Sequence, residues 1–224
     1  DVRTGEILGV AGVSGNGQRE LAEVIAGLRP VTGGRVEMAG LDVTAWSVAR
    51  RTDAGLGYVP EERMHDGIVQ EFSVAENLIL QDHTHAPISR GIFLDFSAIA
   101  RRSRDLVRDF RIRTPSIDTP TRSLSGGNIQ KVIMARELSR QPQVLVAAQP
   151  TRGVDIGATE YIHERLLEQR RQGSATLLIS EDLDEILALS DRIAVLYEGR
   201  VMDILPRSAA TAEQLGLLMA GATA

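Results

Sequence analysis

No cysteine occurs among the 224 residues. Disulfides and thiol chemistry are therefore excluded, and the composition is compatible with a reducing compartment. Positive charge is not in excess either. The net charge is −5 with the two signs interspersed, so the chain has no basic surface of the kind that a phosphate backbone requires, and nucleic acid is not expected as a partner. Long apolar runs are missing as well: Val144–Ala148 and Ile193–Tyr197 fall far short of the roughly 18 residues needed to span a bilayer. Any membrane connection must run through a partner. The single tryptophan, Trp46, has no aromatic cluster beside it and is read as a packing residue rather than a base-stacking platform. With Asp1 as first residue and no charged-then-apolar leader, the sequence reads as a piece of a longer protein.

What is present is 43% hydrophobic residues, enough for one substantial core with a smaller lobe inserted in it. The opening GEILGVAGVSGNGQRELAEVIAGL predicts a strand over Glu6–Ala11, a glycine-rich turn over Gly12–Gly17, and a helix with Leu21, Val24, Ile25 and Leu28 at helical spacing. GGRVEMAGLDV alternates as a hairpin does, predicting a small antiparallel side sheet. Between about Glu62 and Arg140, helical stretches are separated by Pro87, Gly91, Pro115 and Pro120 with no strong strand among them, the pattern of an inserted helical lobe. There, Ile99, Leu106, Val107 and Phe110 form a core-facing stripe, and Arg101, Arg102, Arg104 and Arg108 a solvated face. Afterwards QVLVAA, SATLLIS and DRIAVLYEGRV alternate with helical segments, as in a parallel sheet covered by helices. Glu198-Gly199 marks a hairpin turn.

Gly12-Val13-Ser14-Gly15-Asn16-Gly17-Gln18-Arg19 has the spacing of a P-loop, whose backbone N–H groups wrap a polyphosphate at a helix N-terminus. The chemistry breaks off at the end of the motif. Gln18 stands where a lysine would neutralise the terminal phosphates, and Arg19 where a hydroxyl would ligate Mg²⁺. The order GxxGxG also differs from the dinucleotide fingerprint, which disfavours a nicotinamide cofactor. Ser125-Gly126-Gly127-Asn128 precedes a helix carrying Val132, Ile133, Ala135 and Leu138, placing a hydroxyl and accessible amides at a helix N-terminus. Read from spacing alone, that is either an anion site or a simple N-cap. His65, His83, His85 and His163 lack the close helical spacing of a metal site, so no metal centre is expected from them.

Taken in order, these motifs resemble those of the ATP-binding cassette (ABC) domain. LSGGNIQK is similar to the ABC signature, VLVAAQP stands at the second phosphate-site motif, PTRGVD is similar to the D-loop, and LLISEDLDEILALSDRIAVLYEGR to the region of the switch histidine. More narrowly, GVAGVSGNGQRE, YVPEER and AAQPTRGVD resemble the second, degenerate cassette in ATPase subunits of simple-sugar and nucleoside importers. The resemblance implies an α/β, P-loop NTPase-like fold with a mainly parallel core sheet, a small antiparallel side sheet and an inserted helical lobe. Residues 1–61 and 141–224 would form the RecA-like nucleotide-binding core, and 62–140 the signature lobe.

Carried across residue by residue, the resemblance implies a consistent loss on one side of the site. Ala148 takes the place of the Mg²⁺-associated aspartate, Gln149 that of the general-base glutamate, and Glu181 that of the switch histidine, while Glu61 lies near the Q-loop glutamine. Ser125, Gly126, Gly127 and Asp155 are retained. If each missing charged contact contributes about 2 kcal/mol, Mg-nucleotide binding weakens by roughly three or four powers of ten before non-additivity. An amide at Gln149 cannot act as a general base near neutral pH.

Cassettes of this family pair head to tail. The implied role is therefore a silent cassette at the cytoplasmic face of the membrane, binding ATP weakly or without Mg²⁺ at its own P-loop and supplying its signature to Mg-ATP held by a second cassette. Membrane-spanning permease subunits and, indirectly, an extracytoplasmic solute-binding protein are the further partners implied. The zone from Tyr58 to Asn77 would lie toward the permease contact. The alternatives are a scaffold cassette that takes no part in nucleotide chemistry, and an autonomous ATPase of a non-transport ABC protein, with Arg19 as substitute cation.

Overall fold

The computed structural model describes residues 1–222. They divide into two compact units: residues 1–58, 141–150 and 163–222 in the first, and 59–140 with 151–162 in the second. The segment 151–162 thus joins the lobe that carries the signature.

The first unit is built on a sheet of six strands in the order β10-β9-β1-β8-β7-β4. Its strands are β1 (Ile7–Ala11), β4 (Leu56–Val59), β7 (Val144–Ala148), β8 (Ala175–Ser180), β9 (Arg192–Tyr197) and β10 (Arg200–Pro206). β1 pairs in parallel with β8 and β9, and β7 with β8, while β10 returns antiparallel on β9. The continuous apolar runs are the consequence of burial on both faces, as parallel sheets require. Leu8 and Val10 join Val146, Leu177, Ile179, Ala194 and Leu196 in one core cluster with Ala22 of α1 (Gln18–Ala26). Gly9, on the opposite face of β1, meets Ile186 of α7 (Leu183–Leu189). The expected side sheet is present as β2 (Glu37–Met38) paired antiparallel with β3 (Leu41–Asp42). α8 (Ala212–Met219) packs on β9.

One detail of the first unit differs from expectation. Leu28 lies beyond the left-handed cap Gly27 and is exposed, so helix α1 packs through Ala22 and Ala26 with Leu21 and Ile25. Its last turn is closed by Arg51 from α2 (Val48–Asp53). This arginine is 1% exposed, and its guanidinium donates to the carbonyls of Val24, Ile25 and Thr44 at 2.6, 2.7 and 2.9 Å. A cation among orphan carbonyls at a helix C-terminus is the favourable sign for the dipole. Trp46 is half-buried against the core and carries the Arg50 guanidinium 3.9 Å above its ring, a packing role.

The second unit is helical, with α3 (Val74–Leu78), α4 (Phe96–Asp109) and α5 (Gly126–Leu138) packed together. α3 starts on a capping box, Ser73 with Glu76. Asn77, fully buried, ties down the segment before it: its amide accepts from Val69 N–H at 2.9 Å and donates to the carbonyls of Val69, Phe72 and Ser73. Ile99, Leu106 and Phe110 face inward as the spacing predicts. Arg102 is a correction: it is half-buried and paired with Asp82, whereas Arg101, Arg104 and Arg108 are exposed. A two-stranded hairpin, β5 (Ser89–Arg90) with β6 (Phe93–Leu94), also lies here, where no strand was read. The helix α6 (Ile156–Arg171) starts in this unit and continues into the first.

Candidate nucleotide site

In the first unit, the loop after β1, the residue after β7 and the residue after β8 emerge at one edge of the sheet, because Ala11 is in register with Ser180 and Ala148 with Ile179. This is the carboxyl edge of the parallel strands, where open α/β sheets bind ligands. The loop has a P-loop's course. Gly17 at φ 102° precedes α1 in a left-handed conformation that a side chain would strain. The hairpin turn of β9–β10 braces it: Gly199 N–H donates to the Asn16 carbonyl at 2.9 Å and Glu198 N–H to the Asn16 side chain at 2.7 Å.

The Gln18 side chain folds back on its own loop. It is 8% exposed, its Oε1 accepts from Asn16 N–H at 3.0 Å, and its Nε2 donates to the Val13 carbonyl at 2.8 Å. An amide that a phosphate would use is thereby satisfied from within. Arg19 points along the helix to Glu23 at 2.7 Å rather than into the loop, and holds the Glu23 carboxyl below its usual range together with Arg29. Val13, Ser14 and Gly15 complete the turn, and Val13 is 54% exposed.

Ala148 is buried and offers nothing to a metal. Gln149 follows with φ 49°, a region sparsely populated by residues other than glycine. Its side-chain oxygen accepts from Glu181 N–H at 3.3 Å, so the amide bridges the ends of β7 and β8. No carboxylate replaces the missing pair in sequence, and among the described residues no group of three or more His, Cys, Asp or Glu is placed to hold a metal ion. Neither Gln18 nor Ala148 offers the cation or the carboxylate that Mg-ATP sites use. Glu61 belongs to the second unit, where it is ion-paired with Arg152.

The second unit presents the opposite picture. Ser125 is the N-cap residue of α5, yet its hydroxyl does not cap the helix, so the simple N-cap reading fails. Ser125 Oγ instead accepts from Asn128 Nδ2 at 2.9 Å, and Asn128 Oδ1 accepts from Arg113 N–H at 2.8 Å. The serine is exposed, and the positive end of a 13-residue helix carries no side-chain cap. Gly127 is required by contact: a Cβ there would stand 3.2 Å from both Asp155 Oδ2 and Ala158 Cβ. Asp155 in turn caps α6, accepting from Ala158 N–H at 2.9 Å. Signature and D-loop therefore form one packed piece.

Cations gather around that piece. Lys131 sits 4.9 Å above the Tyr161 ring, and burial with the nearby Arg113 and Arg111 pulls its pKa down against the opposing pull of Asp155. Arg63 and Arg152 lie on the same side, since Arg63 donates to the carbonyl of Gly153 at 3.0 Å. Sequence reasoning gave neither arginine a role, although both lie inside the motifs YVPEER and PTRGVD. Nothing in the spacing shows that these motifs meet.

A P-loop-like turn at the carboxyl edge of a six-stranded α/β sheet, with a glycine-rich helix start in a helical lobe, defines a nucleotide-binding cassette. Residues 1–152 match the ABC transporter family, and the chain belongs to it. It is 47% identical over 99% of its length to the nucleoside import ATP-binding protein NupA of Lactococcus lactis subsp. cremoris, and 47% identical over 98% to the glucose import ATP-binding protein TsgD13 of Haloferax volcanii. It spans only 44% and 40% of those proteins' lengths. The fold matches the crystal structure of a nucleotide-free ATP-binding cassette from an ABC transporter with TM-score 0.78 at 23% identity, covering 97% of this chain and 85% of that one. It also matches a dimeric, post-hydrolysis cassette bound to ADP and Pi, with TM-score 0.77 at 21% identity over 92% of this chain and 88% of the other.

Proposed function

We propose that this chain is the catalytically silent cassette of an import ATPase for simple sugars or nucleosides, and that it supplies Ser125, Gly126 and Gly127 to Mg-ATP bound by a second cassette. The observation that carries the reading is the contrast between two helix starts. At α1 the loop is closed by Gln18 on Asn16 and Val13; at α5 the helix start is uncapped and its serine exposed. A chain that blocks its own phosphate cradle and leaves its signature open has kept one half of a shared site. The import relatives support the transport role, and their greater length leaves room for a paired cassette. No helix among the described residues is long and apolar enough to cross a membrane. By the import relatives, permease subunits would provide the pore and this chain would act at the cytoplasmic face.

The first unit of this pairing does no proton transfer, because Gln149 is an amide engaged with Glu181 N–H. The second unit's contribution is electrostatic: the Ser125 hydroxyl and the amides of Gly126 and Gly127 face charge that grows on a phosphoryl group during transfer. The segment from Val69 to Phe72, braced by Asn77 and exposing both of those apolar side chains, is the surface we assign to the permease contact.

The test is ATP hydrolysis by the full-length protein assembled with its membrane subunits. Ser125→Ala should lower turnover by about tenfold or more, the worth of one hydrogen bond to a charged group. Unchanged turnover would favour a scaffold cassette, and Mg-dependent hydrolysis by this chain alone would favour an autonomous ATPase.

A further inference from the structure

Arg63 stands beside the signature within the second unit. Its Nη2 donates to the Gly153 carbonyl at 3.0 Å, and a side chain added to Gly126 would meet its guanidinium carbon at 3.7 Å. Gly153, at φ 62°, leaves the space that the guanidinium fills, since a Cβ there would lie 2.9 Å from Nη2. The group is thus fixed between the start of α5 and the turn that carries Asp155.

Without an anion this is an unfavourable place for a cation. The adjacent helix end is the positive one and lacks a side-chain cap. Burial pulls Arg63 below the usual arginine range; Glu62 opposes that pull, and the charge of Arg152 adds to it. Glu61, the nearest other carboxylate in sequence, is paired with Arg152. Arginine remains charged at any physiological pH, so the arrangement holds positive charge in reserve. One Nη2–H is directed to Gly153, and the fork has five N–H donors in all. The remaining donors match the several oxygens of a terminal phosphate.

We propose that Arg63 is a further phosphate-binding residue, presented together with Ser125 and the amides of Gly126 and Gly127 to the γ-phosphate of ATP held by a paired cassette. This rests on the signature being supplied in trans. It adds a full positive charge to a constellation that otherwise contains a hydroxyl and backbone dipoles, and ties that charge to the D-loop through Gly153. The competing role is a brace that only shapes the Gly153 turn.

Two variants of the full-length, membrane-assembled protein separate these roles. Arg63→Ala removes both charge and brace; Arg63→Gln removes the charge but keeps a neutral N–H donor for the Gly153 carbonyl. Steady-state hydrolysis gives kcat and KM for Mg-ATP, competition gives the affinity for ADP, and circular dichroism reports folding. Both variants should lose about tenfold or more in kcat/KM while ADP binding stays within about twofold, because ADP lacks the group that Arg63 contacts. Wild-type kcat/KM in Arg63→Gln, or an equal loss of ATP and ADP affinity, would overturn the proposal in favour of the brace. If Arg63→Ala does not fold, Arg63→Gln decides alone. Should Ser125→Ala lower turnover while both Arg63 variants do not, Arg63 is idle and the signature reading stands. If Ser125→Ala also has no effect, that reading fails and Arg63 falls with it.

Discussion

At Gln18 the side chain folds back on a loop that keeps a P-loop's course. The turn keeps Gly12, Gly15 and Gly17, and Gly17 still adopts the left-handed conformation that starts α1. The side chain at the last position is here a neutral amide long enough to reach Asn16 N–H and the Val13 carbonyl. Gln18→Lys should release the Asn16 amide and place a cation at the phosphates. ATP affinity of this chain should then rise about tenfold, the worth of one charge-assisted hydrogen bond. Hydrolysis should remain at background, because Gln149 still offers no base. Equilibrium ATP binding with and without Mg²⁺, measured alongside phosphate release, checks both statements; unchanged affinity would mean that Gln18 is not what closes the loop. The glycine spacing was readable from sequence, and so was the loss of lysine. The direction in which Gln18 turns was not, since it depends on a side-chain rotamer that no periodicity encodes.

At the scale of elements, the amino end of β1 is held by a clamp that responds to pH. Glu6 accepts from Arg192 at the start of β9 at 2.6 Å and from Arg3 N–H at 2.7 Å, and Asp191 accepts from Ile7 N–H at 2.9 Å. The Arg192 bond, opposed by burial and aided by Arg3, holds the Glu6 carboxyl below its ordinary 4.5. A carboxylate with a depressed folded-state pKa stabilises the fold above the unfolded value and loses that contribution as pH falls through the folded one. Stability should therefore decline below about pH 4.5. Glu6→Gln should flatten that part of the profile in chemical denaturation; an unaltered slope would assign the acid sensitivity elsewhere. In the second unit the corresponding device is neutral. Asn77→Ala would strand Val69 N–H and remove one of the donors to the Val69, Phe72 and Ser73 carbonyls, and should cost about 1–3 kcal/mol, read as a lower denaturation midpoint. Strand β1, α1, the β2–β3 pair and α5 were legible because each carries a periodicity bounded by glycine. The β5–β6 hairpin was not, having only Gly91 to mark its turn, and neither was the single turn of π-helix over Arg63–Gly67 that sets Arg63 on its path.

The whole molecule carries an asymmetry that its parts share. The positions that the proposed reading takes as altered, Gln18, Arg19, Ala148, Gln149 and Glu181, lie in the first unit, and Ser125, Gly126, Gly127 and Asp155 lie in the second, with Glu61 as the exception among the altered ones. Sequence order alone could not show the sorting in full, because residues 151–162 follow β7 directly yet belong with the signature lobe. If the first unit has lost hydrolysis and the second has kept its share of a partner's site, a full-length protein with two cassettes contains one hydrolysing site. Trapping the assembled protein during turnover with a phosphate analogue such as vanadate, then counting retained nucleotide, should give one ADP per full-length chain. Any second nucleotide recovered should be unhydrolysed ATP. The Arg63→Gln protein should retain less ADP under the same conditions, since trapping requires the transition-state charge to be held. Two ADP per chain would show that this P-loop hydrolyses despite Gln149. The silent half would then have to draw its base and its metal ligand from outside this chain.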